Sequence, residues 1–126
     1  MAYSYLTQKN IAEYKRTAQK RWQQKQRQLA RLRERAWQVA KQAAAILKDQ
    51  FAVTQVIVFG SLARGDLFHA HSDVDLAVLG LDERQYYRAI GCILSLEPTI
   101  PIDIVRMEDV PATLQATIKN EGVVLE

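Results

Sequence analysis

The sequence predicts an α/β domain in which one long helix precedes a small mixed sheet flanked by helices, and three features predict it. The first fifty residues hold no glycine or proline, and Gln, Lys, Arg and Ala, all good helix formers, dominate them. Short apolar, β-branched runs then recur at 55–59, 74–79 and 102–106. The segments that follow the second and third runs have helical spacing and helix-starting residues.

Taken in order, Ile11, Tyr14, Ala18 and Trp22, then Leu29, Leu32, Ala36, Val39, Ala43, Ile46 and Leu47, follow one another at helical steps. The stripe weakens across Gln23–Gln28, which predicts either one long helix or a break there, with 29–49 the firmer half. QVIVF at 55–59 is a strand that stops at Gly60. Residues 61–64 start a short helix, 65–72 form a loop, and 74–79 form a second strand. Asp82 caps a helix over 83–96 whose inner face is Tyr86, Tyr87, Ile90, Ile93 and Leu94. Pro98 and Pro101 bracket a turn before a third strand, IDIVR at 102–106. Pro111 opens a last helix to about Asn120, Gly122 ends it, and 123–125 form a closing strand.

With 126 residues, 48% of them apolar and 25% charged, the chain suits one folded domain rather than disorder. A single cysteine, Cys92, excludes an intrachain disulfide and argues against a cysteine zinc site; it reads as a small core residue. The N-terminal residues lack the basic and apolar regions of a secretory signal, and no uninterrupted apolar stretch reaches the ~18 residues of a membrane span. The expectation is a soluble cytoplasmic protein with no membrane partner. Charge is divided unevenly. Residues 1–50 hold twelve Lys or Arg against three acids, a balance of +9, and residues 51–126 hold five against eleven, a balance of −6.

The acidic half carries the chemistry. Gly60-Ser61 follows a strand directly; glycine lets the backbone turn sharply and approach a ligand, and helical N–H groups beginning there favour phosphate. Twelve residues after Ser61 come Asp73-Val74-Asp75, where strand alternation sets both carboxylates on one face. Two such carboxylates repel and are costly to desolvate, so the pair requires a cation. Oxygen ligands without cysteine suit Mg²⁺ or Mn²⁺. Asp103, between Ile102 and Ile104, is out of place in a core strand unless it faces the same site. Three carboxylates on adjacent strands meet the needs of two-metal phosphoryl transfer.

Gly60-Ser61, Arg64-Gly65, Ser72-Asp73-Val74-Asp75-Leu76 and Asp103 together resemble the DNA polymerase beta superfamily of nucleotidyltransferases. The short length is similar to its minimal nucleotidyltransferase (MNT) branch, encoded beside HEPN-domain proteins in toxin–antitoxin pairs. The resemblance spans about 43–125, with a slightly long loop between Ser61 and Asp73. It implies that Gly60 and Ser61, with Arg64 and Ser72, hold the triphosphate of ATP. It further implies that Asp73 and Asp75 bind both of two Mg²⁺ ions, while Asp103 completes the second site and helps activate the attacking hydroxyl. The catalytic and metal residues are thus Asp73, Asp75 and Asp103. The implied reaction moves AMP from ATP to a tyrosine hydroxyl of a HEPN RNase toxin, which it neutralises. Residues 29–126 are then the MNT domain and 1–28 a basic helical arm outside the family core.

Plainer readings stand beside these. The acids and turn can be solvated strand ends; Arg64 can pair with Asp66 instead of phosphate. His69 and His71 read as exposed loop residues rather than zinc ligands. Trp37 reads as packed in the domain and Trp22 as an interface candidate. The basic helix is a solvated face, a surface for toxin or self-association, or a nucleic-acid contact. Rival functions are an antitoxin that masks its toxin by binding alone, and a nucleic-acid-binding module that uses the basic helix.

Overall fold

The computed structural model describes residues 2–65 and 68–126, with side chains from Gln8 onward. Helix α1 (Ala2–Phe51) runs without interruption, so the weakened stripe at Gln23–Gln28 does not break it. The glutamines and cations there keep good helix propensity, and no breaker intervenes. α1 ends at Ala52, which takes the left-handed conformation with φ 56°, and the Val53 N–H returns to the Leu47 carbonyl at 3.2 Å. By its internal contacts the chain groups into two compact units, Met1–Leu32 and Arg33–Glu126. Among the described residues no helix is long and apolar enough to cross a membrane.

The second unit holds the sheet. Strand β1 (Gln55–Phe59) leads directly into the short helix α2 (Gly60–Arg64), and β2 (Val74–Leu79) returns antiparallel to β1. A 3-10 turn at Glu83–Gln85 starts the next helix, α3 (Tyr86–Leu94), with the Asp82 carboxylate accepting from the Arg84 N–H. Strand β3 (Ile102–Arg106) lies parallel to β2, the pairing that a crossover through α3 permits. A second 3-10 turn (Met107–Asp109), helix α4 (Ala112–Glu121) and strand β4 (Val123–Leu125) complete the chain. β4 pairs with the far side of β1, giving the order β3-β2-β1-β4.

Strand alternation divides the core into two layers. On one face Ile57 and Ala77 join Met107, Val110 and Ile118 in a cluster, with Phe59, Leu79 and Val105 packed against it. On the other face Val56, Val58, Val74, Leu76, Val78 and Ile104 are all buried. Also buried on the helices are Ala36, Val39, Ala40, Ala43, Ala44, Leu47 and Phe51 of α1, Leu62 of α2, and Ala89 and Ile93 of α3. Lys48 ties α1 to the sheet edge, its Nζ donating to the Leu125 carbonyl at 2.8 Å.

The inner face of α3 differs from the expected one. Tyr87 and Leu94 are 84% and 56% exposed, while Ala89 and Ile93 are buried and Tyr86 and Ile90 half-buried. At 100° per residue, 86, 89, 90 and 93 share one side, and 87 and 94 stand together on the next. Ala89 was missed because its small side chain carries little apolar signal, yet small side chains let a helix pack close. The helix is also shorter than 83–96, because its first turn is 3-10 and it gives way after Leu94. Cys92 is a free, half-buried thiol rather than a fully buried core residue. Trp37 is half-buried.

Candidate active site

Three strand ends meet at one edge of the second unit. β1 is antiparallel to β2, so its last residue, Phe59, stands opposite Asp75 near the beginning of β2. β2 is parallel to β3, so Asp75 stands in turn opposite Asp103. The same register places both carboxylates on the face that carries Ile57, Phe59, Ala77 and Val105. Val74, between Asp73 and Asp75, is fully buried on the other face and donates its N–H to the Pro101 carbonyl at 2.9 Å. That bond stitches the start of β2 to the approach to β3, and with it the two acidic segments.

Gly60 shapes the neighbouring corner. Its φ is +72°, and a methyl group in place of its hydrogen would overlap a carboxylate oxygen of Asp75. Any side chain here would therefore be both strained and in collision. Ser61 is half-buried in α2, the helix that begins at this glycine.

The three acids have different surroundings. Asp75 is half-buried, whereas Asp73, just before β2, and Asp103 are exposed. Burial raises the Asp75 pKa from 3.8 to about 6, and the charges of Asp103 and then Asp73 push in the same direction. The cluster therefore resists carrying all its negative charge unaided.

Among the described residues no three His, Cys, Asp or Glu side chains are drawn together into a ready-made cage for a cation. Magnesium does not require one, since it keeps several waters and uses one or two carboxylates with substrate phosphates. The all-oxygen donor set and the repulsion that Asp75 feels from Asp103 and Asp73 fit a divalent cation held in that open way.

The remaining expected residues have local partners. The Ser72 hydroxyl, buried, accepts the His69 N–H at 2.9 Å, closing the loop that delivers Asp73. His69 and His71 are exposed, and the His71 N–H donates to His69 Nδ1 at 3.2 Å. Arg64 donates from Nε to the Gly60 carbonyl at 3.4 Å and lies 4.0 Å from Glu121, contacts weak enough to leave it for another anion. Its alternative pairing with Asp66 lies outside the described residues. One residue escaped the sequence reading as a polar group. Tyr86 donates its hydroxyl to the Ile104 carbonyl at the β3 edge, next to Asp103. Burial, then the Asp103 charge, raises its pKa. Only the pairing of α3 with β3 could have revealed that contact.

Residues 41–126 match the family described as polymerase beta, nucleotidyltransferase. No protein of curated function is detectably similar in sequence. Among solved structures, a toxin–antitoxin complex with AMP-PNP is 23% identical with a TM-score of 0.58, over 68% of this chain and 72% of that one. A mutant of the toxin–antitoxin MntA–HpeT is 20% identical with a TM-score of 0.57, over 69% and 71%. The toxin–antitoxin MntA–HepT is 19% identical with a TM-score of 0.54, over 71% of each chain. At these identities the likeness is one of fold.

Proposed function

The chain belongs to the polymerase beta nucleotidyltransferase family, and from that membership we propose that it is an antitoxin that transfers AMP from ATP to a tyrosine hydroxyl of a cognate HEPN RNase toxin. The observation that carries the reading is the registered pair Asp75 and Asp103 on one sheet face, with Gly60 leaving its backbone open beside them. The similar structures support the choice of partner and nucleotide, being toxin–antitoxin complexes, one with AMP-PNP. Because ATP and cellular RNA share that compartment, the cytoplasm is its proposed place of action.

Asp73, Asp75 and Asp103 would hold two Mg²⁺ ions, or Mn²⁺, which when bound supply positive charge to the triphosphate and to the leaving pyrophosphate. Gly60 and Ser61 hold the triphosphate at the end of β1, with Arg64 and the Ser72 hydroxyl as further contacts. Asp103, exposed at the rim, accepts the proton of the incoming tyrosine. The tyrosine oxygen bonds to the α-phosphorus as the bond from that phosphorus to the β-phosphate bridging oxygen breaks, and pyrophosphate departs.

Mass spectrometry of a candidate HEPN toxin partner, after incubation with the chain, ATP and Mg²⁺, tests the proposal. The expected product is a tyrosine-linked AMP and loss of RNase activity. A toxin inhibited in a stable complex yet unmodified would replace transfer with masking by contact.

A further inference from the structure

The first unit has a surface independent of the carboxylate chemistry. Within residues 8–32 of α1, Ile11, Tyr14, Ala18, Trp22 and Leu29 recur on one side of the helix at 100° per residue. Ile11, Tyr14 and Trp22 are 48%, 73% and 62% exposed. Large apolar side chains aligned in this way mark an interaction surface, and Trp and Tyr are the residues that most often anchor one. The charge around the stripe is one-sided: residues 1–32 carry eight Lys or Arg against Glu13 alone, a balance of +7. Lys15 and Arg21 border the stripe and Lys25 stands within it, while Lys9, Arg16, Lys20 and Arg27 fall toward its back.

We propose that this stripe docks an acidic amphipathic helix of a partner protein. The partner's apolar residues cover Ile11, Tyr14 and Trp22, and its carboxylates pair with Lys15, Arg21 and Lys25. Charge selects this occupant. A second copy of the segment would set +7 against +7 and repel. A nucleic acid would satisfy the cations at the back and leave the apolar stripe in water. Only an acidic helix with an apolar seam satisfies both the seam and its borders, as e and g charges do in coiled coils. Docking also adds stability to a segment whose own side chains bury little, since lone helices are marginal in water.

The full chain, compared with Trp22→Ala so that the difference in emission reports Trp22, is titrated with three probes. These are a synthetic helix with Leu at its core positions and Glu beside them, the same helix with Lys in place of Glu, and a short single-stranded RNA. Sedimentation of the chain alone accompanies the titrations. The expected result is a monomer whose Trp22 emission shifts to the blue only with the Glu helix. Binding should weaken about tenfold in the variant Lys15→Glu, Arg21→Glu, Lys25→Glu, whose helicity stays intact. A dimer with Trp22 already shielded would overturn the proposal in favour of self-association. A Trp22 response to RNA but not to the Glu helix would overturn it in favour of nucleic acid, and no response to any probe would leave only a solvated face.

Discussion

Gly60 and Asp75 are fitted to each other: a methyl group on Gly60 would overlap a carboxylate oxygen of Asp75, and Gly60 holds φ at +72°. The turn after β1 and the Asp75 carboxylate are thus one piece of packing. Gly60→Ala is expected to destabilise the fold by about 1–3 kcal/mol, from collision and backbone strain together. In an Asp75→Ala background the collision disappears and only the strain remains, so denaturant unfolding should show the two changes coupling by about 1 kcal/mol. Simple additivity would mean that the two side chains do not touch.

Asp75 also sets a pH dependence for the metal-free protein. Its pKa is about 6 in the fold against 3.8 ordinarily, so between those values the folded chain keeps a proton that the unfolded chain has lost. The stability this contributes is present below 3.8 and is lost as pH rises through about 6. Asp75→Asn should therefore raise the melting temperature at neutral pH, with the gain shrinking as pH falls toward the ordinary value. Transfer of AMP should vanish in Asp75→Asn and in Asp73→Asn; full activity in either would remove the proposed metal role.

Magnesium and ATP together are expected to raise the melting temperature, whereas ATP with excess chelator does so weakly. A ligand that binds only the folded state stabilises it by mass action, and here a cation must bridge acidic protein and acidic phosphate. Equal shifts with and without chelator in differential scanning fluorimetry would contradict a carboxylate metal site.

Ala52 ends α1 in a conformation that costs an L-residue about 1–2 kcal/mol and glycine almost nothing. Ala52→Gly should therefore stabilise the protein by about 0.5–1 kcal/mol, after allowing for glycine's greater freedom in the unfolded chain. Denaturant midpoints would show it as a rise without a change in slope.

A chain starting at Gln28 is expected to fold and bind Mg-ATP yet to modify its protein partner poorly. The segment removed is rich in exposed cations, which add little to stability but steer an acidic partner at low salt. Loss of the circular dichroism melting transition would place those residues in the core. Unchanged transfer rates at low salt would make them a solvated face.

Local pattern alone determined the elements and singled out the candidate site residues. Runs such as QVIVF and VDLAVL specify strands because β-branched and other apolar side chains suit a pleated surface, and Gly60 and Gly80 mark their ends. Gly60-Ser61, Asp73-Val74-Asp75 and Asp103 were legible because charge and glycine are conspicuous in apolar company. Only the tertiary structure decided that Asp103 stands opposite Asp75, because the parallel pairing of β2 with β3 joins segments far apart in sequence. It also decided that Asp75 alone of Asp73, Asp75 and Asp103 is half-buried, that Ala89 rather than Tyr87 faces inward on α3, and that Tyr86 holds the Ile104 carbonyl. Spacing along a chain fixes which side of a helix or strand a residue occupies. What covers that side depends on contacts between distant segments, and so on the packing of the whole unit.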